Sequence, residues 1–329
     1  AVATALALGI SAGLAAPAAA DPMSAGDVLE QYNLVVLGSA TSTSSVEGRA
    51  FIGGSLHGGD YVTRTNFAAS DYDELIVGGA LTGNINVNNG GDVTVGGSGS
   101  GVLNMNGGSV GSRTATFGGA YAGVFNMGTK IENQGAGVAI PDFGSLMIDL
   151  SGALAGMAGT DTASVSGNKA IFSPTTTGTA VFDIADGAGF FGAINEIELS
   201  LGTADMIIVN VAGSSLNLED NFLGGPFAAA SHVVWNFHEA TDLTLSRQFF
   251  GTVLAPFAAV TNYSAVEGSL VAGSLTQRAQ VHLQPVDLPT VPTNITDVPE
   301  AGALAILGLG LVSLAAAGWR PTRKGSDKP

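Results

Sequence analysis

Phe51-Ile52-Gly53-Gly54-Ser55-Leu56, Ile76-Val77-Gly78-Gly79-Ala80-Leu81, Thr94-Val95-Gly96-Gly97-Ser98 and Thr116-Phe117-Gly118-Gly119-Ala120 repeat one pattern, β-formers followed by a glycine pair and a small residue. The steps between first glycines are 25, 18 and 22 residues, the range of solenoid coils whose turns differ in length. Small corner residues let stacked backbones approach, while Leu, Ile, Val and Phe at alternate positions fill an interior. The pattern predicts a mainly β chain built as an irregular β-helix. A β-sandwich with glycine-rich hairpins is the alternative, because no strict hexapeptide appears.

Outward from these coils, Phe143, Leu146, Met147, Leu150, Leu154 and Met157 recur at helical steps after Pro141 and Asp142, with Gly159 as a stop. This predicts one α-helix flanking the solenoid. A shorter helix is expected over Ala25 to Tyr32. Strands are expected at Ala180–Ile184, Met206–Val211, Val233–Phe237 and Phe249–Leu254. Val266-Glu267-Gly268 with Gly273 and Ser274-Leu275 echoes Val46-Glu47-Gly48 with Gly53 and Ser55-Leu56, so one kind of coil opens and closes the domain.

Both ends read as export signals. Ala1 to Ala20 is uncharged, apolar from Val2 to Leu14, and closes on Ala18-Ala19-Ala20, which places signal cleavage before Asp21. Pro285, Pro289 and Pro292 mark an extended linker over 284–297. Ala301 to Trp319 is an uncharged run of roughly 28 Å as a helix, long enough for a transmembrane segment. Arg320, Arg323, Lys324 and Lys328 follow it as a basic stop that keeps the tail inside. The order Val298-Pro299-Glu300, apolar helix and basic cluster resembles the PEP-CTERM sorting signal, although Ala301 stands where that signal has its second proline. The resemblance implies an exosortase-like processing enzyme as partner and a transient anchor in the inner membrane.

Between Asp21 and Glu300 stand 26 Asp plus Glu against 7 Lys plus Arg, a net charge of −19. Nucleic acid is an unsuitable partner for such a surface, since phosphate binding needs clustered cations. The chain has no cysteine, so disulfides and thiolate metal sites contribute nothing. With 48 glycines and 12% charged residues it is too apolar for disorder and too glycine-rich to be mainly helical.

Tyr32-Asn33-Leu34-Val35-Val36-Leu37-Gly38, Val46 to Gly54, Trp235-Asn236-Phe237, and Gly251 to Pro256 through Val266 to Ala272 resemble the choice-of-anchor A family over about 26–283. That resemblance implies an adhesin-like domain, similar to ice-binding-type β-helices with a flanking helix, over 21–283. It implies attachment at a bacterial surface or a role in an exopolysaccharide matrix or biofilm, and brings no catalytic residue.

The chemistry the residues could support is limited. His232, Asn236 and His238 are expected to share a solvent face of the strand through Trp235; six residues, about 20 Å, separate the two histidines, too far for one metal. Gly187-Ala188-Gly189-Phe190-Phe191-Gly192 matches a dinucleotide fingerprint in letters only, since the alternation at Glu196 to Leu201 predicts a strand after it, and the glycines read as a turn. Asp71, Asp73 and Glu74, and Asp183 with Asp186, are oxygen donors of a kind calcium uses, without an EF-hand loop. Arg49, Arg64, Arg113, Lys130, Lys169, Arg247 and Arg278 are scattered. A non-enzymatic adhesin-like protein without a cofactor is therefore expected. The alternatives are a polysaccharide-active β-helix enzyme and an ice-binding protein, the latter disfavoured because Thr41, Thr43, Thr63 and Thr65 are expected in loops of no clear period.

Overall fold

A computed structural model describes residues 23–108, 113–286 and 288. The chain starts with helix α1 (Ala25–Gln31), fixed by a reciprocal cap in which Ser24 accepts from the Asp27 N–H and the Asp27 carboxylate accepts from the Ser24 N–H. Five coils follow, each contributing two strands: β1 (Tyr32–Val36) and β2 (Ala40–Ser42), β3 (Arg49–Ile52) and β4 (Leu56–Tyr61), β5 (Leu75–Val77) and β6 (Leu81–Val87), β7 (Val93–Val95) and β8 (Gly99–Met105), β9 (Thr114–Phe117) and β10 (Tyr121–Asn126). A partial coil, β11 (Thr129–Ile131), lies on β9.

Helix α2 (Phe143–Ala155) then leads to β12 (Ser164–Ser166), β13 (Lys169–Phe172) and β14 (Gly178–Ile184). The short helix α3 (Gly187–Gly192) precedes β15 (Glu196–Leu199), β16 (Ala204–Val211), β17 (Ser215–Leu218) and β18 (Asn221–Leu223). The last coils comprise β19 (Val233–Asn236), β20 (Asp242–Leu245), β21 (Phe249–Phe250), β22 (Thr252–Asn262), β23 (Val266–Glu267), β24 (Leu270–Gln277) and β25 (Val281–His282).

The pairing shows that spatial order is not chain order. On one side β1 pairs β3, and the series continues through β5, β7 and β9 to β11. On its other side β1 pairs β24, and the series continues through β22, β19 and β16 to β14. The chain thus enters mid-stack, winds to one end, is carried across by α2, and winds back from the other end until its last coil meets its first. At that seam Val46 bridges Val281, the Asn33 amide donates to the Gly268 and His282 carbonyls, and the Leu283 N–H donates to Glu47 at 2.8 Å. The two Val-Glu-Gly echoes therefore sit in one column, Val266–Val281–Val46, near the middle of the stack. Among the named strands only β12 and β13 pair antiparallel, so the β-sandwich alternative is overturned.

Two layers hold the stack together. Val36, Ile52, Val77, Val95 and Phe117 fill the lumen. The outward residues of the same strands, Val35, Phe51 and Ile76, join Ile208, Val234, Leu254 and Val271 under Leu29, Phe143, Met147 and Leu150 of α1 and α2. Strands buried on both sides read as unbroken apolar runs, as in Leu34-Val35-Val36 and Ile207-Ile208-Val209. The glycine pairs occupy the corners. A Cβ on Gly53, Gly78, Gly96 or Gly118 would lie 2.3, 2.2, 2.4 or 2.0 Å from a carbonyl oxygen of the adjacent coil.

Helix α2 is shorter than the apolar stripe indicates. Asp142 caps its start by accepting from the Ser145 N–H, which leaves Pro141 outside the helix, and Gly156 closes it. The expected Phe249–Leu254 strand is split at Gly251, whose φ of +106° breaks β21 from β22. At one end of the stack Lys130 pairs with Glu132 at 2.9 Å and lies over the Tyr121 ring, placing charge on an edge that would otherwise template further pairing.

Candidate binding face

The helices cover one face and leave another open. The open face is a parallel sheet made by β17, β20, the second half of β22, the second half of β24, β2, β4, β6, β8 and β10. Its strands alternate buried and outward residues, as in Ser215-Leu216-Asn217-Leu218, so every second side chain reaches the surface.

Register stacks these outward residues into columns about 4.8 Å apart per step. One column runs Asn217–Thr244–Thr261–Thr276–Thr41–His57–Thr82. His57 Nδ1 lies 3.0 Å from the Thr82 hydroxyl. Beside it Asp242, Ala259 and Ser274 form a second column, while Ser39 and Ser55 use their hydroxyls to accept from the N–H groups of Ser55 and Ala80. Further along, Asn126, Asn104 and Asn86 each pass an amide hydrogen bond to the next coil, ending on Asp60. The face therefore presents ordered small hydroxyl and amide groups.

The other sequence-derived candidates are dispersed. Asn236 is fully buried, not solvent-facing: it points from the sheet toward α2 and bonds Ser151 and Asn210. His232 is exposed and sits by the Asp205 carbonyl, and His282 pairs with buried Glu267 at 2.8 Å. The Gly187–Gly192 segment is a short helix instead of a turn, and Asp186 already occupies its start by accepting from the Gly189 N–H. Asp183 bonds Asn210, so it and Asp186 serve separate local contacts.

Asp73 accepts from the Thr94 hydroxyl, and burial pushes its carboxyl upward despite that bond. Glu74 pairs with Arg49 and accepts from the Asp92 N–H, while Asp71 lines a shallow cavity with Asp27 and Tyr72. Among the described residues no group of three or more His, Asp or Glu side chains is placed to hold a metal ion. Burial pushes Asp220 up to about 6, and its Oδ2 has no hydrogen-bond partner. Of the dispersed cations, Arg64 pairs with Glu47, Lys169 with Glu198, and Arg278 lies over Tyr263.

The threonine column as a whole has no local signature in the chain. Thr41 is in β2 and not in a loop as expected, because it pairs Thr276 on one side and His57 on the other. Thr43, Thr63 and Thr65 are exposed outside the strands, as their irregular spacing implies. The signal was the repeated outward position of Thr244, Thr261 and Thr276, each followed by a buried residue, but joining it to Thr41 required the seam.

The architecture is a parallel solenoid with helices on one face and an ordered polar sheet on another. Residues 25–283 match the family described as "Putative Ice-binding-like adhesive domain", and the chain belongs to it. No curated protein and no solved structure matches the chain. The domain is adhesin-like, in keeping with a place at a cell surface.

Val298, Pro299, Glu300, Arg320, Arg323 and Lys324 of the sorting reading, and Ala18, Ala20 and Asp21 of the signal reading, lie outside the described residues. So does the apolar segment 301–319; among the described residues no helix is long and apolar enough to cross a membrane.

Proposed function

We propose that the protein is an exported, non-enzymatic adhesin of a Gram-negative surface or extracellular matrix, and that the open face is its contact surface. The observation that carries this reading is the ordered outward column from Asn217 to Thr82 on a sheet that neither α1 nor α2 covers. The acidic balance favours partners other than nucleic acid, and exopolysaccharide or surface proteins fit a face of hydroxyls and amides. Export would proceed by cleavage before Asp21, membrane retention through 301–319 with Arg320, Arg323 and Lys324 inside, and release near Pro299 and Glu300 by an exosortase-like enzyme.

In a host with its cognate exosortase, cells carrying the chain are expected to attach to matrix-coated surfaces. Without the exosortase, the tail should remain on the protein and attachment should be lost. Equal attachment with and without the chain would contradict the adhesive reading, and a tail retained in both strains would contradict the sorting route.

A second reading, ice binding, is favoured by one specific observation: Thr244, Thr261, Thr276 and Thr41 occupy four successive strands. Inhibition of ice recrystallisation by the purified chain is the measurement that would select it.

A further inference from the structure

We propose that the outward side of β22 is a docking strip for a neutral, extended polysaccharide, lying across the open face from Phe257 to Tyr263. The proposal rests on the open face being the adhesive surface and names the class of ligand it takes. Phe257, Ala259, Thr261 and Tyr263 are alternate residues of one strand and its extension, and all point outward between buried Ala258, Val260 and Asn262. The two aromatic side chains are 51% and 58% exposed, so burial does not explain either of them. Six residues separate them, about 20 Å of strand, enough for several pyranose rings.

Phe257 stands where the fold makes unusual room for it. The corners leading into β4, β6, β8 and β10 are glycine pairs, but β22 carries Pro256-Phe257-Ala258 opposite the single Gly273 of β24, because Ala255 pairs Ala272 and Ala259 pairs Ser274. A Cβ on Gly273 would lie 2.9 Å from the Pro256 oxygen and from the Phe257 carbonyl carbon, so the neighbouring coil accommodates the insertion only as glycine. At the opposite rim the Arg278 guanidinium lies 5.7 Å from the centre of the Tyr263 ring and braces it.

Between the rings the floor is small and polar. Asp242 and Thr244 flank Ala259 and Thr261 on one side, and Ser274 and Thr276 flank them on the other. A pyranose has an apolar C–H face and a hydroxyl rim, which match a ring platform and a floor of hydroxyl and carboxylate groups. Single exposed aromatics are ordinary on protein surfaces. Two that terminate one outward row, with a polar floor between them, form a surface complementary to an amphipathic chain. The net charge of −16 and Asp242 in the floor disfavour a polyanion and leave a neutral glycan.

The test is affinity electrophoresis of the full chain, in a zwitterionic detergent without a sugar head group, through gels containing soluble β-glucan, mannan or the polyanion alginate. Retardation by a neutral glycan is expected, at least 5-fold weaker for Phe257→Ala or Tyr263→Leu and absent for both together. Tyr263→Phe should bind as the parent does, since the platform is kept, and Phe227→Ala, at an exposed ring outside the strip, should change nothing. Unchanged thermal melts would show that the losses are not unfolding. Retardation by alginate alone, binding unaffected by the double variant, or no retardation while attachment of cells still depends on the open face would each overturn the proposal. The last result would leave the adhesive reading standing.

Discussion

Gly78→Val should leave the chain unable to complete its fold, and Gly78→Ala should cost about 3 kcal/mol or more, at or beyond the upper end of ordinary overpacking. The added Cβ would lie 2.2 Å from the Gly53 oxygen and 3.0 Å from its carbonyl carbon. Neither backbone can retreat easily, because the Gly78 N–H donates to Ile52 and the Gly79 N–H to Gly54, both at 2.8 Å. The corner is one of a column, so a shift there would pass to Gly96 above it. Gly152→Ala supplies the contrast: it lies in α2 with nothing within 4 Å of its added Cβ, and should stabilise the fold by about 0.5–1 kcal/mol. Urea unfolding monitored by circular dichroism reads both.

Asn236→Ala is expected to cost about 3 kcal/mol, although the side chain is polar and sits on the outward side of its sheet. The Asn236 amide donates to the Ser151 carbonyl and to Asn210 Oδ1, both at 2.9 Å, and its oxygen accepts from the Ser151 hydroxyl at 2.6 Å. Asn210 in turn donates to the Leu154 carbonyl at 2.9 Å and to Asp183 at 3.1 Å. This ladder ties the Ser151 and Leu154 carbonyls of the last turns of α2 to the sheet beneath the helix. Truncation leaves several buried polar groups unpaired at once, which costs more than the net value of any one bond. Ser151→Ala should cost less, about 1 kcal/mol. Hydrogen exchange over 150–155 should accelerate in Asn236→Ala; an unchanged rate and stability would mean that α2 is held by apolar packing alone.

The coils were legible because their corners are chemical necessities: only glycine fits where carbonyl oxygens of the next coil approach so closely, and that necessity is written as Gly53-Gly54, Gly78-Gly79, Gly96-Gly97 and Gly118-Gly119. The strands at 180–184 and 206–211 were legible as apolar runs because both their sides are buried. The stacking order was not, since the meeting of β1 with β24 is a long-range pairing that no local pattern announces. That gap hid the threonine column, whose members Thr276 and Thr41 lie 235 positions apart in the chain. Asn236 is buried against expectation for a related reason: alternation gives the side of a strand, but not what covers that side. The Gly187–Gly192 helix escaped because a glycine-rich hexapeptide has low intrinsic helicity; Asp186 and the packing of Phe191 in the core compensate locally.

The open face as the contact surface is tested most directly by placing charge on it. Thr41→Lys with Thr244→Lys puts two long cations on the outward column, while Ile148→Lys puts one on the exposed side of α2. Attachment of cells displaying each chain to a matrix-coated surface is the measurement, with thermal melts to confirm that all are folded. The open-face variant should lose attachment at least 10-fold, and the helix variant should match the parent. Equal attachment by the open-face variant and the parent would contradict the account.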